Sequence, residues 1–313
     1  MHNWSKIHDA MQHLDILLFD AFSNHCLANT IEPLRAANGF TREATYSWRF
    51  LSMDGAPVRS SSGMQVVPHG ALQDGQGNAL VVMPSYGHRG LDQPRVLRPL
   101  ANAVGRYAVL GGFDTGSWLL GRVGQLDGYA ATIHWDELDA FSEAFTQIDV
   151  QRERFVIDRD RVTCSGAMAA FDLVTAMIAA AHGPLVAMDV AQLFMSRDAT
   201  HVASPRLGGR TVGRAIEVMR ENIETPLPIP AVAARVGCTQ KKLEQRMVAA
   251  LSATPTAVYR HLRLTVALRL VEDTPLSVSE IASRCGYENA SAMTRAFRLA
   301  FGESPRARRQ AVL

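Results

Sequence analysis

Residues 109–135 read VLGGFDTGSWLLGRVGQLDGYAATIHW. An apolar run enters a glycine-rich turn, passes straight into a helical pattern and ends in a second apolar run. That order predicts a buried strand joined to a helix by a sharp elbow. Such an elbow lifts one side chain to a helix N-terminus, where backbone N–H groups and the helix dipole can hold an anion. Asp114 occupies that point. A carboxylate there is a poor acyl acceptor and cannot repeat thiol chemistry.

Outward from the elbow, short apolar runs alternate with helical stretches. HLDILLFD (13–20), YSWRFLS (46–52), NALVVMPS (78–85), RYAVLGG (106–112) and ATIHW (131–135) read as strands, several apolar throughout, as strands of a parallel sheet buried on both faces are. CLANTIEPLRAAN (26–38) and TGSWLLGRVG (115–124) read as helices between them. RFVID and RVTCS predict a hairpin around Arg159-Asp160, followed by a helix from Gly166 to His182. The expected architecture is a three-layer, flavodoxin-like α/β domain over residues 1–194. A Ser, Pro and Gly-bearing linker is expected over 195–209, and an all-α module over 210–313.

Composition narrows the function classes. The 313 residues are 47% hydrophobic and 20% charged, the profile of a globular chain. The apolar stretch Ala167–Ala181 is interrupted by Asp172 and too short for a bilayer, so no membrane partner is expected. The opening MHNWSKIHDAMQH lacks the marks of a secretion signal, which predicts a cytoplasmic protein. Cys26, Cys164, Cys238 and Cys285 are scattered without metal-ligand spacing, so neither a metal nor another cofactor is expected. The net charge of +2 conceals an asymmetry: residues 209–313 hold 16 Lys and Arg against 9 Asp and Glu, or +7, leaving 16 against 21, or −5, for residues 1–208. A basic module joined to an acidic one points to nucleic acid as the basic module's partner.

The basic module carries two helix-turn-helix patterns. In IPAVAARVGCTQKKLEQRMVAAL (229–251) a short helix meets a glycine turn and a second helix capped by Thr239. Val232 and Val236 are expected to pack on Leu243 and Met247, which turns Gln240, Lys241, Glu244 and Gln245 outward. SVSEIASRCGYENASAMTRAFRLAFG (277–302) repeats the pattern, with a Ser277–Glu280 capping box, Gly286 at the turn and Asn289 as the next cap. Its outward set is Ala290, Ser291, Thr294, Arg295 and Arg298. A helix over 255–271 can space the two reading helices for successive major-groove turns, about 34 Å apart.

Residues 210–310 resemble the AraC/XylS family of transcription regulators, through Ala233, Gly237, Leu243, Arg263-Leu264, Ala267, Ile281-Ala282, Gly286-Tyr287, Arg295, Phe297 and the closing Phe301-Gly302-x-Ser304-Pro305. The resemblance implies operator binding to double-stranded DNA with Lys241, Gln245, Ser291 and Arg295 nearest the bases. Gln245 stands where relatives often have arginine, with Arg246 beside it. Residues 13–190 resemble class I glutamine amidotransferase-like, PfpI-like domains, especially those fused to an AraC-type C-terminus (GlxA-type regulators). The elbow residue of that superfamily's enzymes is cysteine, and the resemblance places acidic Glu32 near the elbow.

The reading that follows is a ligand-responsive activator, a homodimer working with RNA polymerase, whose catalytically dead amidotransferase-like domain binds a metabolite. The candidate ligand site is Glu32, Phe113, Asp114, Thr115, Gly116, Trp118, His134 and Trp135. Carboxylates and aromatic faces favour a cationic or zwitterionic amine such as arginine, betaine or carnitine. Against it stands a plainer account, with Asp114 capping its helix, Glu32 paired with Arg35 and the aromatics in the core. Two rival functions stay open: an amidase or hydrolase with an appended DNA-binding domain, and a ligand-independent DNA-binding repressor.

Overall fold

The apolar run after residue 12 forms strand β1 (His13–Leu18), an interior strand of a seven-stranded sheet. The computed structural model describes residues 11–41, 43–194 and 209–312. The other principal strands are β2 (Ser47–Ser52), β5 (Gly70–Ala71), β6 (Ala79–Met83), β7 (Val109–Phe113), β10 (Phe155–Asp158) and β11 (Arg161–Cys164). Their order is β10-β11-β7-β6-β1-β2-β5. All neighbours are parallel except the β10–β11 hairpin, which turns at Arg159 with φ of 54°.

The crossovers bring helices to both faces. Asp15, Leu17, Leu80, Val82 and Leu110 alternate with Leu14, Ile16 and Val81, and all are buried. Leu17, Leu80, Val82 and Leu110 share a core with α2 (Pro94–Val104), α3 (Gly116–Arg122) and α4 (Leu138–Ala144). Across the sheet, α1 (Asn24–Thr41) packs on α5 (Ala167–His182), the long apolar helix expected there. Each fully buried aliphatic side chain contributes about 1.5–3 kcal/mol. Asp15, wholly buried in β1, accepts from the N–H groups of Gln76 and Gly77 and from the Tyr107 hydroxyl, and so ties the approach to β6 to the strand beneath it.

Two expectations need correction. ATIHW is not a strand of this sheet: only Ala130–Ala131 is extended (β8), pairing with Asp149–Val150 (β9) in a separate ribbon. Beyond it the backbone is committed elsewhere. The Thr132 N–H donates to Thr163 Oγ1, the Thr132 carbonyl accepts from Ser117 Oγ at 2.6 Å, and the His134 N–H donates to the Asp114 carbonyl. The segment pins the elbow instead of extending the sheet. Small strands β3 (Val58–Arg59) and β4 (Gln65–Val66), and β5 at the sheet edge, are additional to the strands expected.

The second difference concerns the boundary expected at residue 194. The chain divides into compact units at His182/Gly183, and α6 (Pro184–Phe194) belongs to the second unit. The expected linker, 195–209, lies outside the described residues except for Gly209, where α7 (Gly209–Glu221) begins. The second unit continues with α8 (Ile229–Arg235), α9 (Gln240–Leu251), α10 (Pro255–Asp273), α11 (Val278–Arg284), α12 (Ala290–Phe301) and α13 (Pro305–Val312). Leu185 and Met188 of α6 pack on the core of α7 to α10; Asp189 pairs with His261 at 2.8 Å, and Arg220 donates to Gln192 at 2.8 Å. Among the described residues no helix is long and apolar enough to cross a membrane.

Candidate functional site

In the second unit each helix pair is built from its turn outward. Gly237 and Gly286 hold φ of 69° and 68°, the left-handed region that a side chain disfavours. At Gly286 space forbids a side chain as well, because a Cβ would stand 2.5 Å from the Ile223 carbonyl oxygen and from Pro226. Thr239 accepts from the Lys242 N–H and Asn289 from the Ala292 N–H, while Ser277 and Glu280 make a reciprocal capping box. Hydrogen bonding to Ser277 holds the Glu280 carboxyl below its ordinary pKa.

Val232, Val236, Leu243 and Met247 are buried in one cluster; Ile281, Met293 and Phe297 are buried in the other. The periodicity therefore leaves Thr239, Gln240, Lys241, Glu244 and Gln245 exposed on and before α9, and Ser291, Arg295 and Arg298 exposed on α12, with Ala290 and Thr294 half-buried. A groove of about 410 Å³ runs along this face of α12, lined by Ser291, Thr294, Arg295, Arg298 and, from α13, Arg306.

Much of the remaining basic charge is structural. Arg263 donates to the Cys285 and Gly286 carbonyls, each at 2.7 Å, and lies over the Tyr287 ring, so α10 clamps the second turn. Arg246 bonds Thr211, Arg308 pairs with Glu272, and Arg309 donates to the Val271 and Leu276 carbonyls.

In the first unit Asp114 has φ of 60°, the strained geometry of an elbow. Gly116 follows because a Cβ there would run into the Val82 carbonyl. Asp114 is only 8% exposed, and its Oδ2 accepts from Ser85 Oγ at 3.0 Å. Its backbone donates to the Cys164 carbonyl and accepts from the His134 N–H. Burial pushes its carboxyl pKa up, against the opposing effects of the Ser85 hydrogen bond and of His134. Ser85, itself at φ 57°, accepts from the Ser23 N–H through Oγ, and its carbonyl accepts from Thr115 Oγ1 at 2.7 Å. Asp114 does not cap α3: Thr115 is the N-cap residue and makes no side-chain cap.

The site residues expected from sequence separate into groups. Asp114, Thr115, Gly116 and His134 meet at the elbow, where Ser85, which the sequence reading missed, bonds Asp114 and Thr115, and the His134 N–H donates to the Asp114 carbonyl. Phe113 is wholly buried core, and Trp135 is 68% exposed. Glu32 binds Arg35 of its own helix at 2.7 Å. Trp118 sits with Phe141 and Phe145 beside His88, whose ring centroid is 5.4 Å away, and the Arg89 guanidinium lies 4.9 Å over the indole. Arg89 in turn pairs with Glu137 at 2.6 Å. The buried His88 Nε2 and Trp118 Nε1 have no hydrogen-bond partner. Burial lowers the His88 pKa, so the ring is neutral at pH 7.

No thiol takes over the elbow's place as a nucleophile. Cys26 and Cys164 are wholly buried, and the Cys26 pKa is raised well above its ordinary value by a hydrogen bond with Cys164 and then by burial. The described residues hold no cluster of three or more metal-ligating side chains.

Comparison with known proteins adds four findings. Residues 232–311 match a family model described as a helix-turn-helix domain. The chain is 36% identical over 300 residues to the HTH-type transcriptional regulator CdhR of Pseudomonas aeruginosa, covering 92% of this chain and 89% of that protein. It is 32% identical over 311 residues to the HTH-type transcriptional regulator GbdR of the same species, covering 96% and 84%. A crystal structure of a ThiJ/PfpI family protein from Pseudomonas syringae matches with a TM-score of 0.52 and 19% identity, over 76% of this chain and 90% of that one, which bears on the fold.

Proposed function

Because the chain belongs to the AraC-type helix-turn-helix transcriptional regulators that carry a PfpI-like N-terminal domain, we propose that this DNA-binding regulator is an activator switched by a small amine. It acts as a homodimer on paired half-sites, reads bases with Lys241, Gln245, Ser291 and Arg295, and engages RNA polymerase from the bound operator. Arginine pairs readily with guanine and glutamine with adenine. The observation that carries the DNA reading is the pair of capped, glycine-turned helices whose exposed faces hold these side chains while neighbouring arginines are tied into the fold.

The first unit recognises and reports. Its elbow presents a carboxylate where a nucleophile would stand, and Ser85 holds that carboxylate in place. The effector is a cationic or zwitterionic amine of the arginine, betaine or carnitine kind, bound by the elbow region with Asp114, Thr115, Gly116, Trp118 and His134. It alters transcription only by binding one state of the protein better than another, since equal affinity for both shifts nothing.

The test uses the full chain and an operator selected from random DNA. Titration with arginine, glycine betaine and carnitine, against glutamate and valine as controls, is expected to change operator affinity for at least one amine and for neither control. In calorimetry Asp114→Ala should weaken that amine's binding. Operator affinity indifferent to every amine would leave a ligand-independent regulator, and unaltered amine affinity in Asp114→Ala would remove Asp114 from the site.

A further inference from the structure

The Arg89 side chain is placed as a bound cation would be. Its guanidinium rests against the Trp118 ring face at 4.9 Å and on the Glu137 carboxylate at 2.6 Å, with the neutral His88 ring at the indole's edge. An aromatic face backed by a carboxylate is the arrangement that selects guanidinium and quaternary ammonium groups. Trp118 is held in place by Phe141 and Phe145, so the face exists independently of what covers it.

Three features distinguish Arg89 from a permanent part of this cluster. Its side chain is 57% exposed, whereas that of Glu137 is 22% exposed, so the carboxylate is the group fixed in the fold and the cation is the one that can leave. Arg89 lies in the short turn His88–Leu91, which follows Gly87 at φ 70°, and a Cβ at Gly87 or Gly90 would meet nothing within 4 Å. Exchanging Arg89 for another cation also keeps the local charge constant, so Glu137 never stands uncompensated. His88 Nε2, which makes no hydrogen bond, lies 3.7 Å from the same Glu137 carboxylate.

We propose that Arg89 is a built-in occupant of a cation subsite formed by the Trp118 face and the Glu137 carboxylate, and that the guanidinium or trimethylammonium group of the effector enters by displacing it. The proposal rests on the amine-sensing reading above and gives it a location: the cationic end of the ligand meets Trp118 and Glu137. Arg89 then acts as an internal competitor, setting the concentration at which the protein responds.

Calorimetry on the full chain with arginine and with glycine betaine tests it, because removing the competitor and removing the site have opposite effects. Arg89→Ala should tighten binding of at least one probe by about fivefold or more, and Glu137→Gln should weaken it by a similar factor. The double variant should lose the gain, since without Glu137 there is no subsite to vacate. Thermal unfolding of each variant checks that the fold persists.

Binding no tighter in Arg89→Ala, or no weaker in Glu137→Gln, overturns the proposal, as does failure of both probes to bind any form. Failure of the sensing reading is visible separately. If an amine changes operator affinity of the wild type while these variants bind it unchanged, sensing stands and the subsite falls. If no amine changes operator affinity, both fall.

Discussion

At the elbow the groups capable of chemistry face inward and are matched to one another, whereas on α9 and α12 polar and basic groups of comparable strength face water. Asp114 is buried against Ser85, while Lys241, Gln245, Ser291 and Arg295 are exposed. Both regions rest on residues in left-handed backbone, Asp114 at φ 60° and Gly237 and Gly286 near 69°. The difference lies in what the turn delivers. One presents a group to the interior, where any ligand must replace an existing partner; the other presents a surface to a large polyanion that meets no competitor but salt.

The strongest way to break this comparison is at the turns. Gly286→Ala combines a disfavoured φ with a clash against Ile223 and Pro226, and should cost about 3 kcal/mol or more. Gly237→Ala shares the φ but meets open space, and should cost only about 1–2 kcal/mol. Chemical denaturation of the two variants measures both, and equal losses would mean that packing at Gly286 is irrelevant.

Next in size is Arg295→Ala, which should lose about 1–3 kcal/mol of operator affinity and relax preference at one base pair. Gel-shift titration against single-base operator variants separates this from a uniform loss, which would make Arg295 a phosphate contact. Smaller again is the contrast between an outward and an inward arginine. Arg298→Gln should reduce the log–log salt slope of binding by about 0.9, the loss of one phosphate contact. Arg308→Gln, which breaks the Glu272 pair, should leave the slope unchanged and lower the melting temperature.

The smallest effect concerns Asp114. Its folded pKa lies above the ordinary 3.8, so between those values the native chain keeps a proton that the unfolded chain has released. Its contribution to stability therefore falls as pH rises through that window. Asp114→Asn cannot ionise, so its melting temperature relative to wild type should rise as the pH is raised from 4 to 7. A constant difference across that range would show that the carboxyl is not destabilised by burial.

Local signals were the legible ones. Thr239, Ser277 with Glu280, and Asn289 all cap helices, and Gly237 and Gly286 mark turns, because capping and positive φ depend on residues within three or four positions. Asp114 at a strand-to-helix elbow was readable for the same reason. The partners of the site were not. Ser85 reaches Asp114 across 29 positions and Arg89 reaches Glu137 across 48, so neither pairing leaves a periodic trace. The ATIHW segment looked like a strand because its composition suits one, yet its backbone is taken up by Thr163, Ser117 and Asp114. Charge counting likewise could not tell Arg263 and Arg309, spent on carbonyl groups, from Arg295 and Arg298 on the surface.

Gly183, at φ 87°, ends α5 and begins the helix whose Asp189 and Gln192 satisfy His261 and Arg220. The natural seam of the polypeptide thus lies some two dozen residues ahead of α7, near where the all-α module was expected to start. Anyone grafting this reader onto a different domain should carry α6 along with it, because a cut at Gly209 would strand an imidazole and a guanidinium without the neighbours they were folded around.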